Sequence, residues 1–109
     1  MVTTEQIKEL LKRREELRRH LAIEDKLIEL DEEQARTLAP DFWDKPEEAE
    51  KQLRKVAGIK SWIDDFATIE RLCDDLELMP DFVREGGASE EELETLHADT
   101  LARIEALEM

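Results

Sequence analysis

The chain has 109 residues, enough for one domain that buries about two-thirds of its unfolded surface. Charged residues make up 42% and hydrophobic residues 40%, a balance that argues against both a disordered chain and a membrane-spanning one. The formal net charge of −14 argues against wholesale wrapping of nucleic acid, and a single cysteine excludes an internal disulfide framework. With only three glycines and abundant Leu, Glu, Lys, Arg and Ala, the composition predicts an all-α fold, an antiparallel bundle or hairpin of three to four long helices.

The first predicted helical region opens with Thr3, which has Gln6 three residues later as in a capping box. Its apolar stripe recurs at intervals of three, four or seven residues, with Arg14 intruding, at Ile7, Leu10, Leu17, Leu21 and Ile28. The pattern then shifts to Leu27, Leu30 and Leu38. We therefore expect this region to kink or break near residues 22–25.

The stretch from Ala39 to Ala49 separates two long helices. Pro40 disfavours a helical conformation at Ala39 and should end the preceding helix. Phe42 and Trp43 have no helical partner of their own, so we expect both rings to plug the core and fix the angle between the helices. The structural motif of this stretch is Pro40, Asp41, Phe42, Trp43 and Asp44.

The second long helix is predicted over roughly residues 45 to 79, capped by Asp44 with Glu47 in an aspartate version of the capping box. Pro46 is tolerated in its first turn. Gly58 inside the helix predicts the close approach of a neighbouring helix. The apolar stripe of this helix is Ala49, Leu53, Val56, Ile59, Trp62 or Ile63, Phe66, Ile69, Cys73 and Leu76.

Pro80 should kink or end this helix near Leu76–Met79, followed by a further turn over residues 81–83. Gly86 and Gly87 should then supply the positive φ of a helix C-terminus and the turn after it.

Ser89 with Glu92 is a capping box for a last helix. The apolar stripe of this helix is Leu93, Leu96, Thr100 or Leu101, Ile104 and Leu107. Met109 still lies in helical register, which favours a chain cut near residue 109 from a longer polypeptide.

Charge is distributed unevenly along the chain. Residues 1–20 carry a net charge of +2, whereas residues 64–99 carry −11. The basic residues that could contact RNA or an acidic partner are Lys12, Arg13, Arg14, Arg18 and Arg19. The alternative is a salt-bridged helix face, because helical spacing pairs Glu9 with Arg13, Glu15 with Arg19, and Lys12 with Glu16.

Catalytic and metal-binding constellations are not evident. His20 and His97 do not form a zinc-ligand spacing with Cys73, which falls on the apolar stripe and should be a small buried hydrophobe. Adjacent acidic pairs diverge around a helix, and Gly86-Gly87-Ala88 lacks the context of a phosphate loop. We therefore predict no catalytic, cofactor-binding or metal-binding residue, and no enzyme.

The segment Arg36 to Ala49, centred on Pro40-Asp41-Phe42-Trp43-Asp44, resembles a loop in the N-terminal domain of bacterial class I peptide chain release factors of type 2. Residues 17–21, 55–62 and 76–78 are similar to the same domain in the same order, so the resemblance covers essentially the whole chain. The Pro-Asp-Phe-Trp segment favours type 2 over the type 1 paralogue.

The resemblance implies a cytoplasmic protein that directs translation termination at UAA and UGA codons. It implies that this piece is a helical arm touching the ribosomal stalk base, both protein and rRNA of the GTPase-associated region, and the factor's remaining domains. Membranes and small-molecule substrates are not implied as partners. The Ser-Pro-Phe and Gly-Gly-Gln motifs belong to later domains and are absent here, so no codon-reading or hydrolytic residue carries over. The alternative is a free-standing helical adaptor, a protein-binding module that dimerises through its apolar stripes like a short coiled coil.

Overall fold

The computed structural model describes residues Met1–Met109 and contains four α-helices and no strands, which confirms the all-α prediction. The helices are α1 (Thr4–His20), α2 (Ile23–Arg36), α3 (Pro46–Arg84) and α4 (Glu90–Glu108), with a short 3-10 turn at Phe42–Asp44. None of the four contains an apolar stretch of the length that crossing a membrane requires. The chain divides into unit 1, made of Met1–Leu21 and Ala67–Met109, and unit 2, made of Ala22–Phe66.

Both predicted capping boxes are present. The Thr3 hydroxyl accepts from the Gln6 amide at 3.1 Å, and the Gln6 side chain accepts from the Thr3 amide at 2.8 Å. Ser89 and Glu92 repeat this arrangement at the start of α4, with distances of 3.0 and 3.3 Å. Each box satisfies two amides that the first turn of a helix leaves without intrahelical partners.

The predicted break in the first helical region is confirmed and falls at Ala22. This residue has φ 50° and ψ 51°, the left-handed conformation that costs a non-glycine residue about 1–2 kcal/mol. Leu21 and Ile23 on either side are 8% and 4% exposed. In one continuous helix, side chains two positions apart point to different faces. The break at Ala22 allows both Leu21 and Ile23 to be buried, and this burial offsets the strain.

The start of α3 corrects the capping prediction for Asp44 and Glu47. The helix begins at Pro46, and the Lys45 carbonyl accepts the helical hydrogen bond from the Ala49 amide at 3.0 Å. Lys45 precedes a proline and therefore takes an extended conformation, with φ −121° and ψ 89°. A cap at Asp44 would require Lys45 to be helical, so Asp44 instead ends the 3-10 turn.

Pro80 was predicted to kink or end α3 near Leu76–Met79, and it does not end it, because the helix continues through Pro80 to Arg84. It terminates in a Schellman motif, in which the Gly87 amide donates to the Phe82 carbonyl at 2.8 Å and the Gly86 amide donates to Val83 at 3.2 Å. Gly86 supplies the predicted positive φ, at 83°, whereas Gly87 does not have one.

Unit 1 is built from α1, the C-terminal half of α3, and α4. Ion pairs link Arg14 to Asp74 and Arg18 to Glu70, an order of pairing that makes α1 antiparallel to α3. Ion pairs also link Met1, just before α1, to Glu94 and Arg13 to Glu108. The residue later in α1 pairs with the residue later in α4, so these two helices run parallel. The buried side chains of this unit are Ile7, Leu10, Leu17, Leu21, Ile69, Cys73, Leu76, Leu93, Thr100 and Ile104.

The apolar stripe of α4 was predicted to include either Thr100 or Leu101, and Thr100 is the one that is buried. It is fully buried, and its hydroxyl donates to the Leu96 carbonyl at 2.7 Å. This internal hydrogen bond satisfies the polar group, so a small threonine can occupy the centre of the bundle without a desolvation penalty.

Unit 2 is an antiparallel pair formed by α2 and the N-terminal half of α3. Glu33 bonds to Gln52, whereas Lys26, earlier in α2, lies over the ring of Trp62, later in α3. The buried residues of this unit are Ile23, Glu33, Ala49, Ile59 and Phe66.

Several predicted stripe positions of unit 2 are instead exposed. In α2 and the turn that follows, Leu27, Ile28 and Leu38 are exposed by 48%, 60% and 83%. In α3, Leu53 and Trp62 are also exposed, and Ile63 is the half-buried member of the Trp62/Ile63 alternative. A two-helix unit has a narrow seam, so it buries fewer apolar side chains than the sequence provides.

Gly58 does not mark the close approach of another helix, contrary to the prediction. A methyl group built at this position would meet no atom within 4 Å. The glycine therefore lowers the helix propensity of α3 without a packing role.

Candidate partner-binding surfaces

Three of the five predicted basic contact residues are already used inside unit 1. Arg13 forms a two-pronged pair with Glu108, with Nε–Oε2 and Nη2–Oε1 distances of 3.0 and 2.5 Å. This hydrogen bond raises the pKa of Arg13 and lowers the pKa of Glu108. Arg14, whose side chain is 15% exposed, contacts Glu15 at 3.1 Å and Asp74 at 3.3 Å.

Arg18 contacts Glu15 and Glu70, so it too is engaged within the bundle. None of the three ion pairs proposed from helical spacing forms. Arg13 pairs with Glu108 of α4, and Glu15 contacts Arg14 and Arg18 instead of Arg19. Lys12 and Arg19 remain, exposed and without a carboxylate partner. They lie seven residues apart on α1 and therefore share its outer face.

The Ala39–Ala49 stretch forms a cleft rather than a core plug. Phe42 is half-buried and Trp43 is 64% exposed, which corrects the prediction that both rings sit in the core. The two rings meet edge to face with centroids 5.1 Å apart. Beside them is a cleft of about 400 Å³, lined by Arg36, Ala39, Asp41, Phe42, Asp44, Lys45, Glu48, Ala49 and Gln52.

Glu33 is 6% exposed, and its carboxylate is held by residues that the sequence analysis did not single out. Gln52 donates to it at 2.7 Å and to the Glu33 carbonyl at 2.9 Å, and Lys55 Nζ lies 3.3 Å away. The hydrogen bond from Gln52 lowers the pKa of Glu33 despite burial, and Lys55 and Arg36 lower it further. The spacing of Glu33 seven residues after Lys26 and ten after Ile23 was the available signal that it belongs to the seam.

A second groove, of about 450 Å³, lies between α3 and α4 in unit 1. Its cations, Arg71 and Arg103, have no carboxylate within ion-pairing distance, although Asp99 lines the same groove. The remaining lining residues are Thr68, Leu72, Ala102 and Ala106. The sequence analysis singled out neither arginine as a contact residue.

The chemistry-bearing side chains outside these surfaces are dispersed. Cys73 is fully buried, as predicted, and burial raises the pKa of its thiol to about 11. His20 is exposed and His97 is half-buried. No three His, Cys, Asp or Glu side chains come together in a way that could hold a metal ion.

Comparison with known proteins adds no relative: no protein-family model, curated protein or solved structure matches this chain.

Proposed function

We propose that this chain is the N-terminal helical arm of a bacterial type 2 release factor, which directs translation termination at UAA and UGA codons in the cytoplasm. The arm positions the factor against the ribosomal stalk base, while later domains read the stop codon and trigger hydrolysis. The observation that carries the proposal is the ordered resemblance along the chain, centred on Arg36–Ala49.

The charge pattern supports a division of contacts. Lys12 and Arg19 are the free cations of the predicted basic set, so they are the candidates for rRNA phosphates. Residues 64–99 carry −11 and would be repelled by RNA, so this region is suited to basic ribosomal protein or to basic surfaces of the factor's own later domains.

The test is binding of the chain to bacterial ribosomes with a stop codon in the decoding site. We expect cosedimentation, chemical cross-links to proteins of the stalk base, and competition by an intact type 2 release factor. The chain alone should release no peptide. Peptide release by the chain, or absence of cross-links at the stalk base, would refute the proposal.

A matched pair of double variants tests the RNA contacts. Lys12→Ala with Arg19→Ala should weaken ribosome binding and reduce the slope of log affinity against log salt by roughly 1.5, about 0.7–0.9 for each phosphate that is no longer neutralised. Arg71→Ala with Arg103→Ala removes two cations that also lack ion-pair partners, from the groove between α3 and α4, and should leave ribosome binding unchanged. Equal effects of the two variants would show that net charge alone matters.

The exposed apolar residues of unit 2 favour a second candidate, a free-standing adaptor that binds other proteins. The reading frame of the parent gene beyond Met109 discriminates between the two. A continuation that encodes Ser-Pro-Phe and then Gly-Gly-Gln supports the release factor, whereas a natural stop codon there supports the adaptor.

A further inference from the structure

Ile28 is an apolar side chain for which α2 itself provides no apolar neighbour. It is 60% exposed, and the next residue back, Leu27, is 48% exposed. On a helix surface the neighbours of a residue lie three and four positions away. For Ile28 these are all acidic: Glu24, Asp25, Asp31 and Glu32. A β-branched residue at a solvated helix position also lowers helix propensity slightly, so neither local structure nor solubility explains Ile28.

The carboxylates around Ile28 are themselves exposed, and most are available to a partner. Asp25, Asp31 and Glu32 make no ion pair or hydrogen bond within the chain. Lys26 is the only cation within one helical turn of Ile28. It is half-buried, and its ammonium lies 5.9 Å from the centroid of the Trp62 ring of α3. The outer face of α2 therefore presents Ile28 ringed by negative charge, with the half-exposed Leu27 beside it in sequence.

The comparable apolar pair on α3 has a local explanation that Ile28 lacks. Leu78 and Phe82 are 58% and 50% exposed but lie four residues apart, so they can contact each other along the helix. Phe82 also covers the backbone of Gly87, where a built methyl group would lie 3.8 Å from its ring. This contact belongs to the C-terminal motif of α3.

We propose that the outer face of α2, residues 24–32 centred on Leu27 and Ile28, is a docking surface for a basic amphipathic segment of another protein. An apolar side chain of the partner covers Ile28, and flanking lysines or arginines meet the surrounding carboxylates. This inference goes beyond the release-factor proposal and does not depend on it.

Charge complementarity selects this occupant over the others. A second copy of the chain would bring two identical acidic rings together, and each copy already carries a net charge of −14. RNA phosphates would be repelled by the same carboxylates. A basic segment is steered towards the face by its charge and held there by burial of Leu27 and Ile28.

The experiment uses the full chain labelled with ¹⁵N and a synthetic amphipathic helical peptide of leucine and lysine. We expect amide shifts concentrated at residues 24–32. A peptide of the same pattern with glutamate in place of lysine should not bind. Ile28→Ser should weaken affinity about tenfold or more, since the isoleucine side chain is no longer there to be buried. Asp31→Asn with Glu32→Gln should weaken affinity and also reduce its salt dependence.

Leu78→Ser is the matched control, because Leu78 is as exposed as Ile28 and should leave peptide binding unchanged. Circular dichroism and thermal unfolding establish that each variant remains folded. The proposal is overturned by shifts spread over the acidic surface, by equal affinity of Ile28→Ser, or by binding of the glutamate peptide. A dimer in sedimentation that Ile28→Ser dissociates would assign the face to a second copy and overturn it as well.

Discussion

At the scale of single residues, Glu33 is the one charged side chain that the fold buries, at 6% exposure. Gln52 and Lys55 hold its ionised form, so its pKa is lowered from the ordinary value of 4.5. A carboxylate with a lowered folded-state pKa stabilises the protein above its unfolded pKa, and this contribution is lost as pH falls through the folded value.

We therefore expect Glu33→Gln to unfold at a lower temperature than the parent chain at neutral pH, with the difference shrinking as pH falls below 4.5. Thermal unfolding followed by circular dichroism between pH 7 and pH 3 measures this difference. Glu32→Gln is the control, since Glu32 is exposed in the same helix. A difference for Glu33→Gln that does not change with pH would mean that its effect is not one of ionisation.

Gly58 and Gly86 are chemically identical residues for which alanine should have opposite effects. At Gly58 a methyl group meets open space within a helix, so Gly58→Ala should raise the free energy of unfolding by about 0.5–1 kcal/mol. At Gly86, with φ +83°, Gly86→Ala should lower it by roughly 1 kcal/mol or more. Urea unfolding of both variants measures the two changes, and a loss of stability at Gly58 would indicate a contact that α3 needs there.

At the scale of elements, Pro80 shows a helix continuing where its sequence opposes it. Four more residues follow this proline in α3, up to Arg84. Proline in a helix interior costs about 3 kcal/mol relative to alanine, through a missing amide and a clash with the preceding turn. The burial of Cys73 and Leu76 before it and the Schellman motif after it offset this cost.

Pro80→Ala should consequently raise the free energy of unfolding by up to about 3 kcal/mol. Part of this gain is lost because alanine restricts the unfolded chain less than proline does. Pro46→Ala is the matched control, because a proline at the first helical position loses no hydrogen bond and should gain nothing from replacement. Urea unfolding and helical content by circular dichroism test both variants. A destabilised Pro80→Ala would show that the end of α3 depends on the proline ring.

Of the three capping boxes predicted from local sequence, those at Thr3 and Ser89 were correct and the one at Asp44 was wrong, because Lys45 before Pro46 is not helical. The helix faces that tertiary contacts decide were not predictable. The boxes at Thr3 and Ser89 depend only on residues three apart, and both were found. The face that α2 buries depends on its partner: its seam includes Ile23 and Glu33, and hydrogen bonds from α3 satisfy the glutamate. An apolar pattern therefore selected Leu27 and Ile28, which the structure leaves exposed.

The same limit applies to the candidate contact residues. Lys12 and Arg19 were predicted together with Arg13, Arg14 and Arg18 because all five lie on one helix. Sequence alone could not assign Glu70, Asp74 and Glu108 as partners, since these carboxylates lie more than fifty residues away along the chain. The fold therefore reduces a set of five candidate cations to two.

At the scale of the whole molecule, two electrostatic effects oppose each other as salt is added. The ion pairs between α1 and its neighbours are exposed or half-buried, and such pairs typically contribute about 0–1 kcal/mol each. The net charge of −14 has the opposite effect, because repulsion among like charges destabilises the folded chain. Salt screens both, but repulsion acts among all thirty acidic residues, whereas the attraction is confined to a few pairs.

We therefore expect the unfolding temperature to rise as sodium chloride increases from low to physiological concentration. A chain with Asp75→Asn, Glu77→Gln and Glu85→Gln loses three exposed carboxylates without ion-pair partners and should show a smaller rise. Differential scanning calorimetry at constant pH measures both curves. An unfolding temperature that falls with salt would instead mean that the ion pairs of Arg13, Arg14 and Arg18 outweigh the repulsion.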